Sequence, residues 1–145
     1  MKRSLVLAVL AILAVACVAG AFEYDYTVAT DKSVDATLDD VKSAIRREGL
    51  RIPGVLDLPT TYDYVLVQVC DPEEVKVLGA LDPKLGLLCP CGKIGVYADP
   101  LDGGRTKISL LLPEAGLVRV HPTDAVRAVA EKLLPRLMRV VEGAR

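Results

Sequence analysis

VCDPEEVKVLGALDPKLGLLCPCGKIGVYAD, residues 69–99, carries the densest set of structural signals in the chain. Asp71-Pro72-Glu73-Glu74 opens a helix. Asp is a strong N-cap, Pro is preorganised for the first helical position, and Glu at the third position completes a capping box. Val75, Leu78 and Leu81 supply the apolar face, and Asp82-Pro83 stops the helix. Lys84 to Pro90 reads as a loop with apolar residues, and Gly92 to Asp99 as a strand. Upstream, Tyr62 to Val69 (YDYVLVQV) is β-branched and aromatic, a second strand leading into the helix.

Further elements flank this unit. Glu23 to Thr30 alternates Tyr24, Tyr26 and Val28 on one face, as a half-buried strand does. Ser33 can cap the helix that follows, whose stripe is Val34, Leu38, Val41 and Ile45. Asp39 and Asp40 precede Arg46 and Arg47 off that stripe, the polarity a helix dipole favours, and Gly49 ends the helix. Leu50 to Leu58 is a strand interrupted by Pro53-Gly54. Downstream, Thr106 to Leu112 pairs with the 92–99 strand through Pro100-Leu101-Asp102-Gly103-Gly104 as a hairpin. Pro122-Thr123-Asp124 then opens a long helix with the stripe Val126, Val129, Ala130, Leu133, Leu137, Val140 and Val141. Pro135 inside it predicts a kink near Glu131. The order is β-α-β-β-α-β-β-α. Three helices with one apolar stripe each predict an α+β, two-layer domain, its mostly antiparallel sheet carrying helices on one face. The last helix has the alternative of packing against a partner.

The N-terminus differs in character. Lys2 and Arg3 precede an uncharged apolar run ending in Ala19-Gly20-Ala21. A basic start, an apolar core and a small-residue cleavage site describe a secretory signal. The run is also long enough for an uncleaved membrane anchor. Lipidation at Cys17 fits less well, because Leu is not three residues before it. Residues 1–21 are thus expected to be a signal peptide or N-terminal anchor, and residues 22–145 a single domain outside the cytoplasm. The membrane is a partner only if the leader is retained.

Lys2 and Arg3 take two of the 18 basic residues, leaving 16 against 19 acidic residues in the domain. With no basic face, no Trp and one Phe, nucleic-acid binding is not expected. The chain has no Asn and one Gln, Gln68, alongside 9 Pro. Few thermolabile amides and many prolines fit a thermophile, and equally a GC-rich genome. Without Asn there is no N-glycosylation acceptor.

The 69–99 stretch resembles the Domain of Unknown Function 302 family. Cys70, Pro72, Leu81, Asp82, Gly86, Leu88, Pro90, Cys91, Val96 and Tyr97 fit that family's pattern, and the flanking elements extend the resemblance over about residues 24–140. Asp71 stands where Asn is usual, Cys89 where an aliphatic residue is usual, and Gly92 where a larger polar residue is common. The resemblance implies a compact α/β domain, a homodimer, and proximity of Cys91 to Cys70. It implies no reaction.

The cysteines are the chief chemical signal. Cys70 precedes a helix N-cap, which lowers a thiol pKa, but Asp71, Glu73 and Glu74 in the same turn oppose this. A structural disulfide, Cys70 to Cys91, suits an exported domain. Cys70, Cys89 and Cys91 are alternatively three soft ligands for Cu(I) or Zn, with His121, the only His, as a fourth. A third use is thiol redox or sulfur handling by Cys70, Cys91 and Cys89, since a Cys89–Cys91 bridge around Pro90 is strained and readily reduced.

No His-based triad, G-x-S-x-G motif or phosphate loop occurs. The five tyrosines, Tyr24, Tyr26, Tyr62, Tyr64 and Tyr97, are expected in core and cross-strand packing rather than around a pocket. The sequence therefore points to an exported, non-catalytic module binding a small ligand, a metal or a protein. The alternative is a thiol-dependent redox or sulfur-handling protein.

Overall fold

A computed structural model describes residues 24–88 and 92–145. The leader, with Cys17, and the Cys89-Pro90-Cys91 segment lie outside the described residues. The elements are β1 (Asp25–Thr30), α1 (Val34–Arg47), β2 (Arg51–Asp57), β3 (Tyr64–Cys70), α2 (Pro72–Leu81), β4 (Gly92–Asp99), β5 (Arg105–Leu111) and α3 (Asp124–Glu142). Their order is the expected one. The strands form one antiparallel sheet in the order β1-β5-β4-β3-β2.

Alternation divides the sheet into two faces. Val28, Ile108, Val96 and Val65 are directly opposed across four strands, and all are buried. Ile94 and Val67 lie in the adjacent row on the same side. Onto this apolar face pack α1, through Val41, Ala44 and Ile45, and α3 through all seven residues of its expected stripe. The long helix thus spends its stripe on its own sheet rather than on a partner. It also continues through Pro135 to Glu142.

Local signals fixed the helix starts. Ser33, Asp71 and Thr123 each accept a bond from a first-turn N–H, at Ala36, Glu73 and Val126. The turn between β4 and β5 uses Gly103 at φ 61° and Gly104 at φ 80°, left-handed conformations that glycine adopts without Cβ strain.

Some expectations need correction. Pro83–Leu88 is a 3-10 helix rather than an irregular loop. In α2, Leu81 is 47% exposed while Glu74 is 4% exposed. The capping box does not close, because the Glu74 carboxylate turns to Lys132 of α3 instead of its own helix start. Tyr24 precedes β1 and is exposed, so it does not share the half-buried row of Tyr26 and Val28. Register between β2 and β3 shifts between Arg51 and Gly54, around the Pro53-Gly54 pair.

Candidate functional site

Cys70 is the last residue of β3, half-buried and disulfide-bonded. The other cysteines, Cys17, Cys89 and Cys91, lie outside the described residues. Each carboxylate of the following turn has a cation. Asp71 is bonded to Arg136, Glu74 to Lys132, and Glu73 to Lys76 at 2.8 Å. Burial pushes the Asp71 carboxyl up. The Glu73 N–H, the Arg136 guanidinium and the Glu74 N–H outweigh burial and hold it below its ordinary range. Arg136 also donates to the Glu48 carbonyl at the end of α1. One guanidinium therefore ties α3 to both other helices. Beside it, Arg139 donates to both carboxylate oxygens of Glu48, and this bonding lowers the Glu48 pKa.

His121 is not at this place. Its Nε2 lies 3.9 Å from Asp82 Oδ2, at the C-terminal end of α2. Cys70 precedes the N-terminal end, and a 10-residue helix between them spans roughly 15 Å. Metal–ligand bonds of about 2.0–2.3 Å do not bridge that separation. His121 is therefore no companion ligand to Cys70. Among the described residues no group of three His, Cys, Asp or Glu is placed to hold an ion.

A different surface draws together residues that the sequence scatters. On the sheet face away from α1 and α3, Thr27, Ser109, Gly95, Leu66 and Leu56 form one transverse row. Tyr97 and Tyr64 are directly opposed in the next. Their rings stack with centroids 5.0 Å apart and planes 9° from parallel. Tyr62 leans against both, tilted 60° and 57°, at 6.2 and 6.5 Å. Gly95 permits this arrangement, since a Cβ there would lie 2.6 Å from the Tyr64 hydroxyl oxygen. Burial, then the neighbouring Tyr97 and Tyr62, raises the Tyr64 pKa.

The result is a depression of about 400 Å³ with Gly95, Leu66 and Leu111 among its lining. Tyr24, Tyr62, Tyr64 and Tyr97 line it with Asp25, Lys93 and Ser109. Its size falls in the range of small-molecule sites, about 300–1,000 Å³. Sequence alternation anticipates core and cross-strand packing of the tyrosines rather than a pocket, and Tyr64 and Tyr97 are opposed across strands. It misses that the pair faces outward and that Tyr24 and Tyr62 converge on it from outside the strands. The alternation of Gly95 with Lys93 and Tyr97 on one strand face was the available signal.

Comparison with known families decides what kind of domain this is. The family model described as "Domain of unknown function DUF302" matches residues 26–144. The chain belongs to the DUF302 family. The DUF302 fold is also found in the crystal structure of uncharacterized conserved protein DUF302 from Bacillus stearothermophilus. That protein is 22% identical, with a TM-score of 0.73, covering 84% of this chain and 98% of the other. No curated protein matches the chain. Within this DUF302 domain the Asp71 carboxylate meets the Arg136 guanidinium.

Proposed function

We propose that this DUF302 protein is an exported, non-catalytic binding module whose sheet face away from the helices is the ligand surface. One observation carries the reading. The helices occupy one side of the sheet, and the other side gathers four tyrosines around an open depression. The hydroxyls there form a chain that ends on the Asp25 carboxylate. Tyr97 meets Ser109 at 3.0 Å, Ser109 meets Thr27 at 2.6 Å, and Thr27 donates to Asp25 at 2.7 Å.

In this reading Cys70 is structural, bridged to Cys91. The β3–β4 register supports that choice. Cys70 is disulfide-bonded, and its neighbour Val69 is opposite Gly92, the residue that follows Cys91 in the sequence. Export is supported by the basic start, the apolar run and Ala19-Gly20-Ala21.

The test of the surface is binding of the planar apolar dye 8-anilinonaphthalene-1-sulfonate. The native domain should enhance its fluorescence, and Leu66→Lys should abolish the effect without lowering Tm. Dye binding unchanged by Leu66→Lys would remove the face from consideration. For export, the protein recovered from its own host should begin at Phe22 or remain in the membrane fraction. A full-length cytoplasmic product would contradict it.

A further inference from the structure

We infer that the sheet face away from the helices lies against a phospholipid bilayer, held there by residues 1–21 retained as a membrane anchor. This rests on the ligand-surface reading above and names the occupant, the lipid–water interface on the side of the membrane away from the cytoplasm.

The first observation is where the chain enters the fold. The uncharged run ends at Phe22, two residues before Tyr24, and Tyr24 lines the depression on this face. Two residues span at most roughly 7 Å. A run embedded in the bilayer therefore delivers Tyr24 to the membrane surface, and the face that Tyr24 lines begins at the point of attachment. Lys2 and Arg3 precede the run. Basic residues stay on the cytoplasmic side, so the domain stands on the opposite one.

The second observation is the chemistry of the face. Tyrosine collects at membrane interfaces because its ring is apolar and its tip is polar. Four of the five tyrosines line this one depression. Among the described residues, the Tyr24, Tyr62 and Tyr64 hydroxyls and the Lys93 ammonium have no hydrogen-bond or ion-pair partner. All four are donors, and a phosphatidylcholine interface presents phosphate and ester oxygens that accept. The one acid of the lining, Asp25, is already met by the Thr27 hydroxyl. Apolar side chains complete the contact. Leu66 and Leu111 line the depression, and Leu56 extends the transverse row onto the far edge strand at 47% exposure. The tether reaches only the β1 edge. Leu56, in β2, lies four strand spacings away, roughly 19 Å, and meets lipid only when the whole face lies down.

The chain has no Trp, so a single introduced Trp reports its own surroundings. The test reconstitutes the full chain into phosphatidylcholine vesicles whose acyl chains carry bromine, a contact quencher. Leu56→Trp should lose about half of its emission, and Tyr62→Trp, outside the strands, should repeat that result. Asp39→Trp, exposed on α1 on the helical side, should keep its emission. Adding Leu66→Lys to Leu56→Trp should restore what was lost. The inference is overturned if Leu56→Trp keeps its emission, if Tyr62→Trp does so where Leu56→Trp fails to fold, or if Asp39→Trp is quenched as strongly. It is also overturned if the protein from its own host begins at Phe22, or if sedimentation in detergent shows a dimer that Leu66→Lys dissociates. Dye binding that is sensitive to Leu66→Lys, without quenching by lipid, rejects the bilayer and keeps the ligand surface. Loss of both rejects the surface as well.

Discussion

Arg136, midway along α3, holds the carboxylate of Asp71, the residue directly after Cys70, although 65 positions separate them. The Asp71 carboxylate thus serves two partners, capping α2 through the Glu73 N–H and receiving the guanidinium. A largely buried carboxylate in this position is destabilising without its cation.

The pH dependence follows from the direction of the shifts. The Asp71 and Glu48 carboxyls both titrate below their ordinary values in the folded protein. Their contribution is complete above the unfolded carboxylate range and is lost as pH falls through the lower folded values. Thermal melts should therefore hold a plateau at neutral pH and decline below about pH 4. Asp71→Asn keeps an N-cap but gives up the charge. It should lower stability at pH 7 by about 1–2 kcal/mol and flatten the acid decline. An acid decline as steep as the parent's would show that Arg136 contributes nothing through Asp71.

Gly95 and Tyr64 should be energetically coupled. A methyl at position 95 would lie 2.6 Å from the Tyr64 oxygen and 3.1 Å from its Cζ, so the ring must leave its stack. Gly95→Ala alone should cost about 1–3 kcal/mol. In a Tyr64→Ala background it should cost much less, a coupling that a double-mutant cycle in urea measures. Strictly additive losses would mean that the ring does not rely on the missing side chain.

The disulfide prediction concerns both pairing and magnitude. Peptide mapping of the unreduced protein should recover Cys70 linked to Cys91. Cys91→Ser should then lower Tm more than Cys89→Ser. Closing a loop of about 20 residues stabilises by about 3 kcal/mol in the chain-entropy description. Equal effects, or mapping of Cys70 to Cys89, would reassign the bridge. Ready cycling with a mild reductant would favour thiol exchange as the role of the pair.

Thr37 offers a stabilising change. It is fully buried in α1, and its hydroxyl has no hydrogen-bond partner among the described residues. Thr37→Val keeps the shape and removes an unpaired polar atom, so it should raise stability by about 1 kcal/mol. A loss of stability in chemical denaturation would indicate that the hydroxyl has a partner.

The sequence reading succeeded where a signal is local. The caps at Ser33 and Asp71 are legible because each joins a side chain to an N–H two or three residues away, and Pro122-Thr123-Asp124 marks the third helix start, where Thr123 is the cap. The α3 stripe was legible because its periodicity already implied one buried face. Reading failed in α2, where Leu81 fits the stripe yet is exposed and Glu74 breaks it yet is buried. A distant lysine, Lys132, makes that burial tolerable. A sequence gives residue types without positions, so in it His121 and the cysteines look like one ligand set. The folded chain sets it at the far end of a helix from Cys70.

Element identity, order and the two faces of each strand were written into the chain, because capping and periodicity act over one or two turns. The chain did not specify which sheet face would lie away from the helices. Nor did it specify that Tyr64 would stack on Tyr97 with Tyr62 beside them, or that Asp71 would find Arg136. Those relations depend on strand order and register, set by the packing of the whole core at once. No short window of sequence contains both partners, and the entropy of bringing them together is repaid only when the complete sheet and its helices assemble.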